Sequence, residues 1–250
     1  MKDVLEHSHG KEAIRKRLSE THRSSYLRDS ILGGIDGCVT TIAVVASVAG
    51  AGLPGMIAFV LGIASLVADA LSMGVSNYQA VKSDEEARNR VRRQEEKHVD
   101  KAPEGEREEI REIFRGKGFG SDSLETIVDT ICADRKLWVD TMIKEEYGLA
   151  LTGPSAWKAG CATFAVFLVV GVMPLLPFLI PFLSGVEYFV ASGAITAMAL
   201  FGIGWVKGRV LDTPRLRAGV ETLLMGGAAA GGAFLFGFFL EPMLGDLRLG

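Results

Sequence analysis

Charge is missing from most of this chain. Its 27 Lys and Arg and 30 Asp and Glu fall almost wholly in the first 30 residues, in 82–146, and between 207 and 221. Elsewhere the sequence is apolar over stretches long enough to cross a bilayer, for which a helix needs roughly 20 residues. The net charge of -3 therefore averages over segments in different solvents and identifies no partner. Cysteine is scarce too. Cys38, Cys132 and Cys161 are too few and too scattered for a disulfide framework, and they read as reduced packing residues. The chain opens on a polar, charged stretch with no apolar core and small-residue cleavage site after it. No cleavable signal peptide is expected, and the first span would act as its own insertion signal. A Walker-type glycine loop, a nucleophile elbow and a zinc-protease motif are all lacking, which argues against a nucleotide partner and against an enzyme. The basic residues cluster at membrane edges rather than in one interleaved patch, which argues against nucleic acid.

What is present reads as an all-α membrane protein of five transmembrane helices, with a cytoplasmic helical domain inserted between spans two and three. A cytoplasmic segment, 1–28, comes first, in which Lys11 to Arg28 could form a basic amphipathic helix with Leu18, Tyr26 and Leu27 on its buried side, or a solvated tail. Residues 29–81 hold span one, about Asp29 to Gly50, and span two, about Leu53 to Tyr78. The short uncharged link Gly50-Ala51-Gly52-Leu53-Pro54 can only be a tight turn. Span two meets no helix breaker before Lys82-Ser83-Asp84-Glu85, so the same helix is expected to continue out into water. Residues 82–153 form the polar domain, with helices over 82–99, 104–116, 121–133 and 135–148. Ile110, Ile113 and Phe114, then Leu124, Ile127, Val128 and Ile131, give one apolar stripe per helix. Residues 154–250 hold span three (Ala156 to Phe178), span four (Glu187 to Val206) and span five (Ala218 to Leu240), the last rich in Gly and Ala as where membrane helices approach closely.

Lys and Arg are dense before span one, between spans two and three, and between spans four and five, and absent from the turns after spans one and three. The positive-inside rule then places the N-terminus and the insertion in the cytoplasm and the C-terminus on the other face.

Ionisable groups within a bilayer cost roughly 2.5–3.5 kcal/mol each on insertion scales, so each is a functional candidate. Asp36 lies in Gly33-Gly34-Ile35-Asp36-Gly37, where the glycines admit either another backbone or a hydrated ion. Asp69 lies near the middle of span two. Met73 is one helical turn beyond it, and Ser65 and Asn77 extend the same face. Such a stripe suits a cation path with hard and soft ligands. The alternative is a helix-capping Asp36 and a protonated Asp69 bonded between helices. In the insertion, Glu109 and Glu112 are three apart, Glu95 and His98 likewise, and Met142 and Glu146 four apart. Pairs of this kind brought together would hold a divalent first-row metal, although they also occur on solvated helices. His7 and His9 form a further short pair near the terminus.

These residues resemble a known family. Leu32-Gly33-Gly34-Ile35-Asp36-Gly37 is similar to the Leu-Gly-x-x-Asp-Gly signature of the vacuolar iron transporter family, and Ala68-Asp69-Ala70-Leu71-Ser72-Met73-Gly74 to its small-residue Ser-Met motif. Pro103-Glu104, Glu108 to Phe114, Lys117-Gly118-Phe119, Trp138 to Met142 and Glu145 to Leu149 follow in the family's order, and the likeness runs from about residue 23 to 240. The resemblance implies an antiporter exchanging protons for ferrous iron, and often manganese, exported from the cytosol. Cobalt and zinc are further candidate ions, and no permanently bound cofactor is expected. It implies a homodimer whose ion path runs between the first two spans. Carried over, the path residues are Asp36 and Met73, and the metal-holding residues Glu109, Glu112, Met142 and Glu146. The chain departs from the family at Ser76 and Asn77, where many members have Gly-Glu, and on the first cytoplasmic helix, which offers Glu95 with His98, or Glu96 alone, in place of two glutamates three apart. The membrane would be a plasma or vacuolar-type one, and the role metal-ion homeostasis. The competing reading is a membrane-anchored metal sensor or buffer that does not transport.

Overall fold

The computed structural model describes residues 10–19 and 26–247, and His7 and His9 lie outside them. The described residues are helical, in nine α-helices and one 3₁₀ turn. A short helix, α1 (Lys11–Ser19), is followed by α2 (Leu27–Gly50). Leu27 thus opens the first span instead of closing an amphipathic surface helix. Tyr26 just before it reaches across the fold, its hydroxyl accepting the Ser155 backbone N–H at 3.1 Å.

Five helical segments are long and apolar enough to cross a membrane: α2, the first half of α3 (Gly55–Lys101), α7 (Ala156–Gly171) with the 3₁₀ turn Met173–Leu179, α8 (Val186–Val210), and α9 (Arg215–Leu247). In hydrocarbon a backbone amide has no water to bond to, so an apolar run of this length is held to the helix. The link between α2 and α3 closes as the sequence requires. Gly52 takes φ +61, and the Leu53 and Gly52 amides bond back to Val48 and Ala49 at 3.1 Å each, which caps the orphan carbonyls of α2. In span three, Pro174 and Pro177 have no N–H to give, and the α-helix tightens into the 3₁₀ turn there. The carbonyl of Pro174 instead accepts Ser192 Oγ at 2.6 Å, tying span three to span four.

α3 is 47 residues long and unbroken, so it runs on past the bilayer without a hinge. Around its distal half pack α4 (Pro103–Gly116), α5 (Ser121–Cys132) and α6 (Arg135–Glu145). Their stripes meet in a core of Val91, Val99, Ile110, Leu124, Val128, Ile131, Trp138, Val139, Met142 and Ile143. Each side chain of this kind contributes about 1.5–3 kcal/mol when fully buried, ample for a four-helix cluster with its own interior. Asp134 caps α6, accepting the Lys136 and Leu137 amides at 2.9 and 3.2 Å.

The membrane part has a separate core, in which Phe167, Leu175, Ile42, Val45 and Leu66 are buried. The glycines around Asp36 serve the backbone alternative. A Cβ on Gly33 would stand 2.6 Å from the Thr163 carbonyl oxygen, and one on Gly37 2.5 Å from that of Phe167, so α2 and α7 touch backbone to backbone. On the other side of α2, a Cβ on Gly237 would overlap the Ser47 carbonyl.

Gly37→Ala should therefore lower the temperature of half-unfolding in detergent, because overpacking costs about 1–3 kcal/mol. That loss outweighs alanine's helix-propensity gain of up to about 1 kcal/mol. Gly193→Ala, where a Cβ meets nothing within 4 Å, should leave the midpoint unchanged or raise it. Size-exclusion profiles after graded heating measure both.

Candidate metal centre

Two groups of ligand-bearing residues sit on α3, one in the membrane and one beyond it. In the membrane, Asp36 on α2 and Asp69 on α3 are both half-buried and close enough to feel each other's charge. Asp69 accepts a 2.7 Å hydrogen bond from Ser65 one turn back, and Met73 follows one turn on, also half-buried. Asn77 is differently placed. Its amide donates to Asp29 Oδ1 at 2.9 Å and to Thr163 Oγ1 at 2.8 Å, which clasps α2, α3 and α7 at one level. Of the four path residues read from the sequence, three keep side chains available and Asn77 is occupied. Asp29 and Thr163, which complete that clasp, lie 48 and 86 residues from it in the chain, and no local spacing points to them.

Beyond the membrane, Glu95 and His98 on α3 converge with Glu106 on α4. One ligand atom from each lies within 4.8 Å of the others. His98 Nδ1 stands 3.2 Å from Glu106 Oε1 and 3.8 Å from Glu95 Oε1. A cation bound at 2.0–2.6 Å by each ligand needs its ligand atoms roughly 3–4 Å apart, so the cluster is near that size. Glu95 is 1% exposed and Glu106 4%, whereas His98 reaches solvent. Tyr147 donates its hydroxyl to Glu95 Oε1 at 3.0 Å. Oε2 of Glu95 and Oε2 of Glu106 are buried with no hydrogen-bond partner among the described residues.

The other sequence candidates separate. Glu109 and Glu146 are exposed at the cluster's edge, near enough to act on its charges. Met142 is fully buried in the domain core one turn before Glu146. Glu112 turns away and pairs with Arg115. Helical geometry is the reason. At about 100° per residue, Glu109 lies about 60° from Glu106 around α4, and Glu112 about 120°. The pair that faces the site is thus Glu106 with Glu109, not Glu109 with Glu112. Glu106 was readable in principle, since it precedes Ile110 by one turn and Ile113 by two, on the buried stripe.

Ion pairs elsewhere in the domain sharpen the contrast. Arg111 forks to Glu125 at 2.6 Å and also meets Glu108, Arg107 pairs with Asp129, and Lys117 with Glu145. Those partners hold Glu125 and Glu145 below the usual carboxylate range, Arg111 acting on the first and Lys117 on the second. The inward carboxylates have no such guanidinium. Burial, followed by the negative charges of Glu109 and Glu95, pushes Glu106 up to about 7. Burial and the charges of Glu95 and Glu109 raise Glu146 as well, and burial with the Glu95 hydrogen bond raises the Tyr147 phenol. Uncompensated buried carboxylates cost several kcal/mol each. A divalent cation between them removes that cost, and with one imidazole and two carboxylates the donor set suits a first-row metal.

Two outcomes follow. Glu106→Gln should weaken Mn2+ or Fe2+ binding by the full chain at least about tenfold, the loss that even an outer-shell partner's removal causes. Glu112→Gln should bind as the wild type does, by isothermal titration. In chelator, the folded chain holds a proton on Glu106 that the unfolded chain releases between its ordinary 4.5 and about 7. This contribution to stability is present below pH 4.5 and is lost as pH rises through 7. Thermal midpoints of the wild type and Glu106→Gln should therefore differ in slope across that interval, the variant lacking the fall.

Comparison with known proteins identifies the family. The family model described as "VIT family" matches residues 27–238. The chain is 34% identical over 210 residues to vacuolar iron transporter 1 of Arabidopsis thaliana, with 83% of each protein covered. It is 31% identical over 210 residues to vacuolar iron transporter 2 of rice, Oryza sativa subsp. japonica, covering 83% of this chain and 85% of that one. It is 30% identical over 231 residues to the vacuolar iron transporter of Toxoplasma gondii, covering 89% and 76%. The match takes in both membrane aspartates and the whole Glu95–His98–Glu106 cluster, and this chain belongs to the VIT family.

Proposed function

We propose that this protein exports divalent metal from the cytosol in exchange for protons, with ferrous iron as its main cargo and manganese as a second. The observation that carries the reading is the coupling of two ligand sets by one rigid element. The unbroken α3 bears Asp69 and Met73 in the membrane and Glu95 and His98 beyond it. Met73 and Glu95 are 22 positions apart, about 33 Å along a helix. Relatives named vacuolar iron transporters support iron as the cargo.

The N-terminus and the α4–α6 domain face the cytosol in this reading, because the flanking segments are rich in Lys and Arg. Glu95, His98 and Glu106, with Glu109, Met142 and Glu146 around them, concentrate metal at the entrance. Asp36, Asp69 and Met73 pass it across. Two carboxylates facing one another are satisfied by one dication or by two protons. Exchange of one for the other on the same pair moves metal and protons in opposite directions without ATP.

The working unit is a homodimer. Ala64, Ala68, Ser72 and Ser76 form an exposed small-residue stripe on α3, flanked by Ser65 and Asp69. Small residues at this spacing let membrane helices approach closely, and a second copy would shield the carboxylates from lipid. The closed Asp29–Asn77–Thr163 clasp favours the rival reading, a sensor or buffer that binds metal without moving it.

Fe2+ flux into proteoliposomes under an inside-acid gradient separates the two. The wild type should accumulate metal and acidify the opposite compartment, and Asp36→Asn should reduce uptake to the protein-free level. Metal binding without flux in the wild type would leave only the sensor.

A further inference from the structure

Outside the metal sites, two adjoining hollows lie between α3 and α7. The first is an apolar groove of about 330 Å3 floored by Gly74, Gly160 and Phe164 and walled by Leu71 and Val75. Leu71 and Val75 are more than half exposed on their side of α3. The second is a polar chamber of about 550 Å3 at the level where α3 leaves the membrane, lined by Lys82, Glu85, Arg88, Thr152 and Ser155. Tyr78 and Trp157 line both, so groove and chamber adjoin at these two rings. The two rings meet edge to face, centroids 6.5 Å apart, and Trp157 is 72% exposed. Amphipathic aromatic rings at this depth mark the membrane–water interface.

The charges are arranged for an anion. Arg88 has no carboxylate within ion-pair distance among the described residues, and its guanidinium lies against Gly153, where a Cβ would collide with it. Lys82 makes one long contact, 3.9 Å to the exposed Glu86. Of the charged residues that line the chamber, two are cations and one, Glu85, is an anion. Below it, the groove from Tyr78 to Leu71 descends seven residues, about 10 Å into the hydrocarbon.

We infer that groove and chamber form a binding site for an anionic phospholipid, its phosphate held by Lys82 and Arg88 and one acyl chain laid along Leu71, Val75 and Phe164. A soluble anion would use the chamber and have nothing to place in the groove. A neutral lipid would fill the groove and leave the Arg88 guanidinium without a counter-charge. The site is separate from the metal path, because Leu71 lies about 160° around α3 from both Asp69 and Met73, and Val75 about 160° from Met73 and about 120° from Asp69. On α3 the groove borders the small-residue stripe, and its far wall, Trp157, Gly160 and Phe164, belongs to α7.

The full chain in phosphatidylcholine vesicles tests this. Brominated acyl chains quench nearby indoles, and the share of quenching removed by Trp157→Phe reports on the groove. Brominated phosphatidylglycerol should quench that share about threefold more than brominated phosphatidylcholine, given the attraction of basic side chains near a membrane surface for anionic lipid. Lys82→Gln/Arg88→Gln should abolish the preference, and millimolar inorganic phosphate should not relieve it. Native mass spectrometry needs no tryptophan change, and should find phosphatidylglycerol retained on the wild type and lost from the double variant. Equal quenching by the two lipids, or a preference or retention that survives the double substitution, overturns the proposal. Relief by inorganic phosphate assigns the chamber to a free anion and overturns it equally.

Discussion

Hydrocarbon offers a backbone amide nothing to bond to, and an apolar run must therefore satisfy itself as helix for as long as it stays in the membrane. For α3 nothing ends the helix when the membrane does. No proline or glycine interrupts it between Gly74 and Lys101, and the charged residues from Lys82 onward are good helix formers. The chain thus leaves the bilayer as a stiff post. The polar domain is built on that post, with α4, α5 and α6 folding back to cover one side of it. The positions of Glu95 and His98 are fixed by the same hydrogen-bond ladder that fixes Asp69 and Met73.

Much of the charge exposed on the α4–α6 domain has opposite charge beside it. Arg107, Arg111, Arg115 and Lys117 meet Asp129, Glu125, Glu112 and Glu145 on the outside. The inner carboxylates are left without that neutralisation although they are the most buried. Exposed pairs of this kind stabilise by about 0–1 kcal/mol at most. The imbalance inside is therefore the larger electrostatic feature, and a cation is the simplest thing to correct it.

The spans were readable because length and hydropathy are local properties, and the turn at Gly52 because one left-handed residue specifies it. Glu95 and His98 were readable because helical spacing alone puts them together. Glu112 was misplaced for the same kind of reason. A pair three apart says that two side chains share a face, but not that the face is the inner one. The stripe of Ile110 and Ile113 carried the missing phase and pointed to Glu106. The glycines beside Asp36 left backbone contact and ion access open, and only the approach of α7 decides it. The engagement of Asn77 by Asp29 and Thr163 was out of reach, because it depends on how three helices cross and not on any one of them.

The glycine contacts on α2 have a mechanical consequence. With Gly33 and Gly37 seated on α7 and Ser47 seated on Gly237 of α9, the backbones interlock with no side-chain layer between them to deform. Such a joint resists sliding, since a shift of even one residue drives a carbonyl into a Cα. Gly160 of α7 is seated in the same way on Gly74 of α3, and Gly204 of α8 on Ala218 of α9, so the joint runs on through the other two spans. Asp36 is thus carried by a framework in which each span is locked to a neighbour backbone to backbone.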